Sequence, residues 1–300
     1  MDPLIIIFGF GVGMLVGVTG IGGGSLMTPI LILVFGFKPV TAVGTDLAYG
    51  AITKTVGGWR HWRQKTVDMR LSGWIAIGSV PAAIGGVWVL DKLESIWGKN
   101  FDEGLLIAVS GALLLTGTVI LARLLFPNDE RSEVHSSPLT RRHKLLAVAL
   151  GAAVGFVLGV TSAGSGSLIA VGLILIFRLT PTRVVGTDVF HAAILLWAAA
   201  IAHVIAGNVD FALAGTILLG SIPGVWIGSG LTLRLPVGVM RATLAVVLVA
   251  AGLALLQKAG TGIPSGVIVG APVVIGLVGW VVRSARKRNT RVPVASMERA

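Results

Sequence analysis

Two aspartates stand in the same tripeptide, Gly44-Thr45-Asp46 and Gly186-Thr187-Asp188, 142 residues apart, and each leads into an apolar run. A carboxylate in that position either compensates the dipole at a helix N-terminus or, if it lies deeper in a membrane, is a candidate proton carrier. Ahead of each tripeptide lies a small-residue run, Gly22-Gly23-Gly24-Ser25 and Gly164-Ser165-Gly166-Ser167, again 142 residues apart. A helix that starts inside a membrane has unpaired N–H groups at its first turn, and glycine lets that backbone approach a guest closely. Such a terminus attracts an anion without a buried lysine or arginine. Ser25, Ser167, Thr19 and Thr161 supply hydroxyls that either donate to the anion or cap the helices.

Glycine in a membrane helix also serves close packing, which is the ordinary reading of an isolated run. Two copies at one offset, each closed by serine, favour a site lining instead. No Gly-Lys-Ser/Thr ending follows either run, so a Walker-type phosphate loop is excluded. Because bare carboxylates repel an anionic guest, Thr45 and Thr187, with the backbone, are expected to contact substrate. Asp46, Asp188 and the unduplicated His191 are the candidates for proton handling.

Other chemistry-bearing residues have plainer readings beside functional ones. Lys54 matches Leu196 in the second copy, and is expected to snorkel to the basic end of its helix; the alternative is an attraction point for anions along the path. His61 and His203 precede matching Val-Asp pairs and are read as anchors of helix ends, with proton handling as the alternative. Trp59, Trp62, Trp74, Trp88 and Trp97 suit an interfacial belt, and Pro29, Pro81 and Pro223 suit bends. No catalytic residue, metal set or cofactor motif emerges: there is no cysteine and no HExxH-like spacing.

The elements that must position these residues belong in a bilayer. The 300-residue chain is 54% hydrophobic and only 12% charged, with a mean hydropathy of +0.91. That is too little polar surface to coat a soluble domain. The net charge of +11 lies in short connections and the tail rather than on one soluble face, which argues against nucleic acid as partner. Apolar segments run over 4–19, 24–37, 42–59, 71–90 and 104–126, then 145–160, 166–177, 184–206, 211–231, 239–257 and 264–282. The first two of each half are short, and each pair is either two short spans or two half-helices meeting at a Gly-rich break. Residues 1–126 form one repeat, 127–143 a linker, 144–257 the second repeat, and 258–300 an appended helix with a basic tail.

Lys and Arg collect in short cytoplasmic loops. Arg60, Arg63, Lys65 and Arg70 place one connection inside, while the matching 207–210 loop has no basic residue and suits the outside. The repeats therefore read as inverted in topology. Arg283, Arg286, Lys287, Arg288 and Arg291 put the C-terminus in the cytoplasm, with the N-terminus outside. The fold expected is an all-α integral membrane protein of two inverted-topology helical repeats with Gly-rich broken helices and one extra C-terminal helix.

The run Gly17-Val18-Thr19-Gly20-Ile21-Gly22-Gly23-Gly24-Ser25, the Gly-Thr-Asp tripeptides, and the stretches His61 to Asp68 and His203 to Asp210 together resemble the TauE/SafE-type sulfite exporter family of anion permeases. The resemblance covers about residues 4–257. It implies a multi-pass permease of the inner (plasma) membrane that moves sulfite, an organosulfonate or another small sulfur-containing or organic anion, by secondary transport between the repeats. Export down an inside-negative potential needs no coupling ion, since 100 mV favours departure of a unit charge by about 2.3 kcal/mol. Uptake would need protons or sodium. A membrane enzyme using His191 or the aspartates, and a scaffold whose glycines merely pack, are the contrasting readings.

Overall fold

A computed structural model of the chain describes residues 3–19, 24–125, 139–231, 237–268, 270–272 and 274. Among these residues the protein is helical, without a strand. The first half contains α1 (Pro3–Thr19), α2 (Gly24–Leu33), α3 (Pro39–Arg63), α4 (Met69–Trp97) and α5 (Phe101–Leu125). The second contains α6 (Arg141–Thr161), α7 (Ser165–Leu175), α8 (Pro181–Ile205), α9 (Phe211–Leu231) and α10 (Val237–Lys258). Residues 265–268 and 270–272 are helical as well, where the appended segment is expected; most of the rest of that segment, the tail and linker residues 127–138 lie outside the described residues.

Local chemistry sets these boundaries in the same way twice. Pro39 and Pro181 open α3 and α8 at the first helical position, where a missing N–H costs nothing. Asp68 accepts from the Leu71 amide at 3.0 Å and Asp210 from the Leu213 amide at 2.9 Å, capping α4 and α9. α6 stops where Ser162 turns left-handed, with φ 58°, and α7 restarts after Gly164, with φ 98°. α2 and α7 have 10 and 11 residues. At 1.5 Å per residue each spans about 15 Å, half of a hydrocarbon core.

Among the described residues five helices, α4, α5, α6, α8 and α9, are long and apolar enough to cross a membrane. α3 is not among them although it has 25 residues, because it carries Asp46 and Lys54 within and Arg60 and Arg63 at its end. Arg60 and Arg63 are exposed at its end, whereas Asp46 and Lys54 lie on its buried face: α3 packs along α8 and also touches α2, α9 and α5.

The four main helix pairs all join opposite halves: α1 with α9, α4 with α6, α3 with α8, and α5 with α10. Glycine makes two of these seams possible. A Cβ added at Gly9, Gly13 or Gly17 of α1 would strike the backbone of Ile217, Ser221 or Val225 in α9. A Cβ at Gly151, Gly155 or Gly159 of α6 would strike Ile75, Ser79 or Ala83 in α4 in the same manner. Spacing by four residues keeps each set on one helix face, so the two backbones can touch along its length. For these glycines, Gly17 of the duplicated run included, packing is the role.

Along the central pair, a Cβ on Gly50 would touch Leu196 at 3.5 Å and one on Gly57 would touch Val189 at 3.1 Å. Numbers rise along α3 as they fall along α8, so the two helices run antiparallel. On the outside, Ile205 and Trp226 are more than four-fifths exposed, as lipid-facing side chains are. Arg63 lies over the Trp59 ring at 5.1 Å, Lys92 over Trp88 at 5.9 Å and Lys144 over Trp74 at 5.1 Å, cation–π pairs in keeping with an interfacial belt.

Candidate functional site

Asp46 and Asp188 each sit seven residues beyond the proline that opens their helix, two turns inside, and both are buried. Neither caps its helix. The Asp46 Oδ2 accepts from the Thr28 hydroxyl of α2 at 2.6 Å and from the Ser162 hydroxyl of the α6–α7 junction at 2.9 Å. The carboxyl of one half is therefore held by a hydroxyl of the other, and the start of α7 is brought beside it.

The second half does not repeat this arrangement. Ala170 stands where Thr28 stands in the first copy, and Gly20 stands where Ser162 does, so the offset positions supply no hydroxyl. Asp188 Oδ1 has no hydrogen-bond partner among the described residues. The charges of Lys54 and Arg123 act on it instead. Lys54 is 8% exposed and its Nζ has no hydrogen-bond partner among the described residues. The expected snorkelling does not occur, because the lysine stem lies on the face of α3 that α8 covers, and the ammonium stays inside.

One turn beyond Asp188, His191 is fully buried, with Nε2 at 2.8 Å from the Ser79 hydroxyl of α4. Its Nδ1 has no partner among the described residues. Ser79 lies two residues before Pro81, but only the serine of that pair faces the interior: Pro81 and its equivalent Pro223 are exposed. Tyr49 and Ser221, the positions equivalent to His191 and Ser79, are buried too.

Thr45 and Thr187 are buried, but their oxygens are engaged by backbone. Thr45 Oγ1 accepts from the Asp210 amide at 3.0 Å, and Thr187 Oγ1 accepts from the Asp68 amide at 2.9 Å. The preceding glycines let these loops lie down: a Cβ on Gly44 would strike the Asn208 carbonyl, and one on Gly186 the Thr66 carbonyl. Gly-Thr-Asp is thus a three-part device. Glycine admits the opposite half's loop, threonine binds it, and aspartate faces the interior.

Of the glycine-rich runs, Gly22 and Gly23 lie outside the described residues. Gly24 opens α2, with Ser25 half-buried in its first turn, and Ser165, Gly166 and Ser167 form the first turn of α7 behind the buried Gly164. His203 donates from Nε2 to the Gly159 carbonyl at 2.9 Å, a buried structural bond, whereas His61 pairs with the Thr66 hydroxyl at 3.0 Å. Sequence reasoning passed over Thr28, Ser79 and Ser162 as partners of ionisable groups, although Thr28 and Ser162 depart from the repeat, with Ala170 and Gly20 at their offset positions. Such departures were the available signal, since a polar residue present in one copy alone has a local task.

A cavity of about 960 Å³ opens at one end, with Arg70, Arg142, His143, Arg178, Arg183 and Asp68 in its lining. The offset positions of Arg70, Arg178 and Arg183 are Ala212, Gly36 and Thr41, so these arginines are not duplicated. Among the described residues no group of side chains is arranged to hold a metal ion.

Comparison with known proteins agrees with this picture. Residues 5–255 match the family described as Sulfite exporter TauE/SafE. The "Probable membrane transporter protein YjnA" of Bacillus subtilis is 40% identical over 256 residues, which cover 85% of this chain and all of that protein. The "Probable membrane transporter protein YdhB" of the same organism is 31% identical over 84% of this chain and 99% of its own length. The "Probable membrane transporter protein MJ0441" of Methanocaldococcus jannaschii is 29% identical over 56% of this chain and 59% of its own length. No solved structure matches the chain. With a family match across most of its length and full-length relatives that are membrane transporters, this chain belongs to the TauE/SafE family and is a membrane transporter rather than an enzyme.

Proposed function

We propose that the protein is a permease that moves a small sulfur-containing or organic anion, such as sulfite or an organosulfonate, out of the cell by alternating access to a site between two inverted-topology halves. The observation that carries this reading is the buried polar seam along α3 and α8, to which both halves contribute: Asp46 with Thr28 and Ser162, and Lys54 with Asp188, His191 and Ser79. Polar groups of this kind inside a membrane protein mark a pathway for a polar substrate. The antiparallel central pair and the exchange of partners between halves support inverted topology, and the two short helices, α2 and α7, support a break near the midplane.

The positive-inside rule puts the 60–70 connection and the tail in the cytoplasm and the N-terminus outside. The basic cavity then faces the cytoplasm, where it gathers anions for departure. That placement and the family's description favour export.

The test is purified protein in liposomes loaded with sulfite, thiosulfate or isethionate, compared with a Thr28→Val/Ser162→Ala variant. A saturable flux of at least one anion, reduced at least tenfold in a monodisperse, folded variant, supports the site. Absence of flux for every anion, at either voltage polarity and with or without a pH gradient, refutes the permease reading.

A further inference from the structure

Lys54 lies on the α3 face covered by α8, and Asp188 lies on α8 one turn from the level of Lys54. The level follows from the crossing, where Gly50 meets Leu196 and Gly57 meets Val189. Three buried polar atoms in this region, Lys54 Nζ, Asp188 Oδ1 and His191 Nδ1, have no hydrogen-bond partner among the described residues. Buried polar atoms are almost always paired, so three unpaired ones together mark a place where a polar guest would supply the missing partners. The groups facing Asp188 are Lys54 from α3, Arg123 from α5 and His191 from its own helix; α4 brings the neutral Ser79, and α7 has no titratable residue. At the Asp46 end two hydroxyls hold Oδ2 while Oδ1 is likewise without a partner among the described residues; what sets the Asp188 end apart is the buried lysine, which the other copy replaces by Leu196.

We propose that Lys54 binds the transported anion directly and that Asp188 carries one proton with it, so that the substrate is a monoanion moved together with H⁺ in a 1:1 ratio. This rests on the permease reading above. In the empty carrier the Lys54 ammonium and the Asp188 carboxylate balance each other's charge across the crossing without a direct hydrogen bond. Loading adds the anion to the ammonium and a proton to an Asp188 oxygen, forming one O–H bond; unloading breaks that bond and returns the proton to water. The empty and loaded carriers thus have the same net charge, and Arg123 contributes equally to both. Binding the anion alone or the proton alone changes the buried charge by one unit, which a low-dielectric interior penalises, so those forms do not reorient. Leu196 at the position equivalent to Lys54 confines this chemistry to one side of the crossing. Net movement then follows the combined gradients of anion and proton, so export proceeds only where the outward anion ratio exceeds the inward proton ratio.

The experiment uses full-length protein in liposomes and isethionate, a sulfonate that remains a monoanion from acid to alkaline pH. Expected is isethionate flux accompanied by equal proton flux, read with an internal pH dye, and unchanged when a valinomycin potential is reversed. K54Q is expected to lose both net flux and isethionate–isethionate exchange at least tenfold, while K54R keeps exchange. D188N is expected to keep exchange and lose proton-driven accumulation, which a merely destabilised protein would not do. Wild-type flux that carries charge and ignores the pH gradient overturns the proposal, and this readout needs no variant; K54Q exchange within twofold of wild type also overturns it. Transport of thiosulfate alone overturns the monoanion assignment and leaves the permease reading standing. Flux of neither overturns both.

Discussion

Ser162 combines two demands in one residue. Its backbone is left-handed, at φ 58°, which costs an L-residue about 1–2 kcal/mol relative to glycine, and its hydroxyl donates to a buried carboxyl. A hydrogen bond to a charged group contributes roughly 1.5–3 kcal/mol. The two terms separate by substitution. Ser162→Ala keeps the strained backbone and loses the bond; Ser162→Gly loses the bond and relieves the strain. Both variants should therefore melt below wild type in detergent, with Ser162→Gly the milder by about 1 kcal/mol. Equal melting temperatures for the two would show that the hydroxyl alone matters. The duplicated residues and the unduplicated ones differed in how far sequence could read them. Spacing identified Asp46, Asp188 and His191 as special because they are polar in apolar runs. It gave no means to see that Thr45 and Thr187 spend their oxygens on loop amides, because those partners, Asp210 and Asp68, lie more than 110 residues away. Lys54 was misread for a related reason: whether a lysine stem can reach water depends on which helix covers its face.

At the level of elements, apolar run length located every helix of the two halves, since lipid and core both demand continuous apolar surface. The charged ends were legible less well. α4 continues through Asp91, Lys92 and Glu94 to Trp97, and α3 through Arg60 to Arg63, because helix ends that meet water keep their hydrogen bonds without needing apolar side chains. Glycine roles divided only in three dimensions. Gly155→Val places a side chain against the Ser79 backbone and should separate α4 from α6, lowering stability by several kcal/mol, on the order of other overpacking changes or more. Gly11→Ala and Gly73→Ala meet open space and should be neutral, or stabilise by roughly 0.5–1 kcal/mol through helix propensity. Thermal unfolding of the three variants in one detergent measures the contrast. The loops provide a second element-scale expectation. Thr187 holds the Asp68 amide, and a net hydrogen bond of about 1 kcal/mol corresponds to roughly fivefold in a local opening equilibrium. The chain has no cysteine, so Val67→Cys or Val209→Cys reports alone. Thr187→Val should speed maleimide labelling at Val67→Cys by about that factor and leave Val209→Cys unchanged, while Thr45→Val should do the reverse. Labelling that rises at both sites in either variant would mean that the two loops do not act as separate latches.

Across the whole molecule, duplication supplies symmetry in packing and asymmetry in charge. Helix pairs, latches and glycine seams recur in both halves, whereas Lys54 and the arginines of the basic cavity occur once. Under the permease proposal, an anion arriving at the end that carries Arg70, Arg142, Arg178 and Arg183 meets a field that raises its local concentration, and Arg70, Arg178 and Arg183 have no copy at the offset positions. Such steering changes encounter more than the intrinsic affinity of an inner site. It also depends on ionic strength, because the screening length falls from about 10 Å at 0.1 M salt to about 3 Å at 1 M. The triple variant Arg142→Gln/Arg178→Gln/Arg183→Gln should therefore raise the half-saturating anion concentration severalfold for transport starting from the basic end, at low salt. Transport starting from the opposite end should keep its wild-type value, and the difference between variant and wild type should shrink as salt rises. Right-side-out and inside-out vesicles, sorted by labelling at Val209→Cys, allow both directions to be measured on one preparation. An equal effect from both ends, or one that survives 1 M salt, would mean that these arginines act on the transport step itself and not on capture of the anion. The salt dependence is thus the part of the experiment that separates a collecting vestibule from a second binding site.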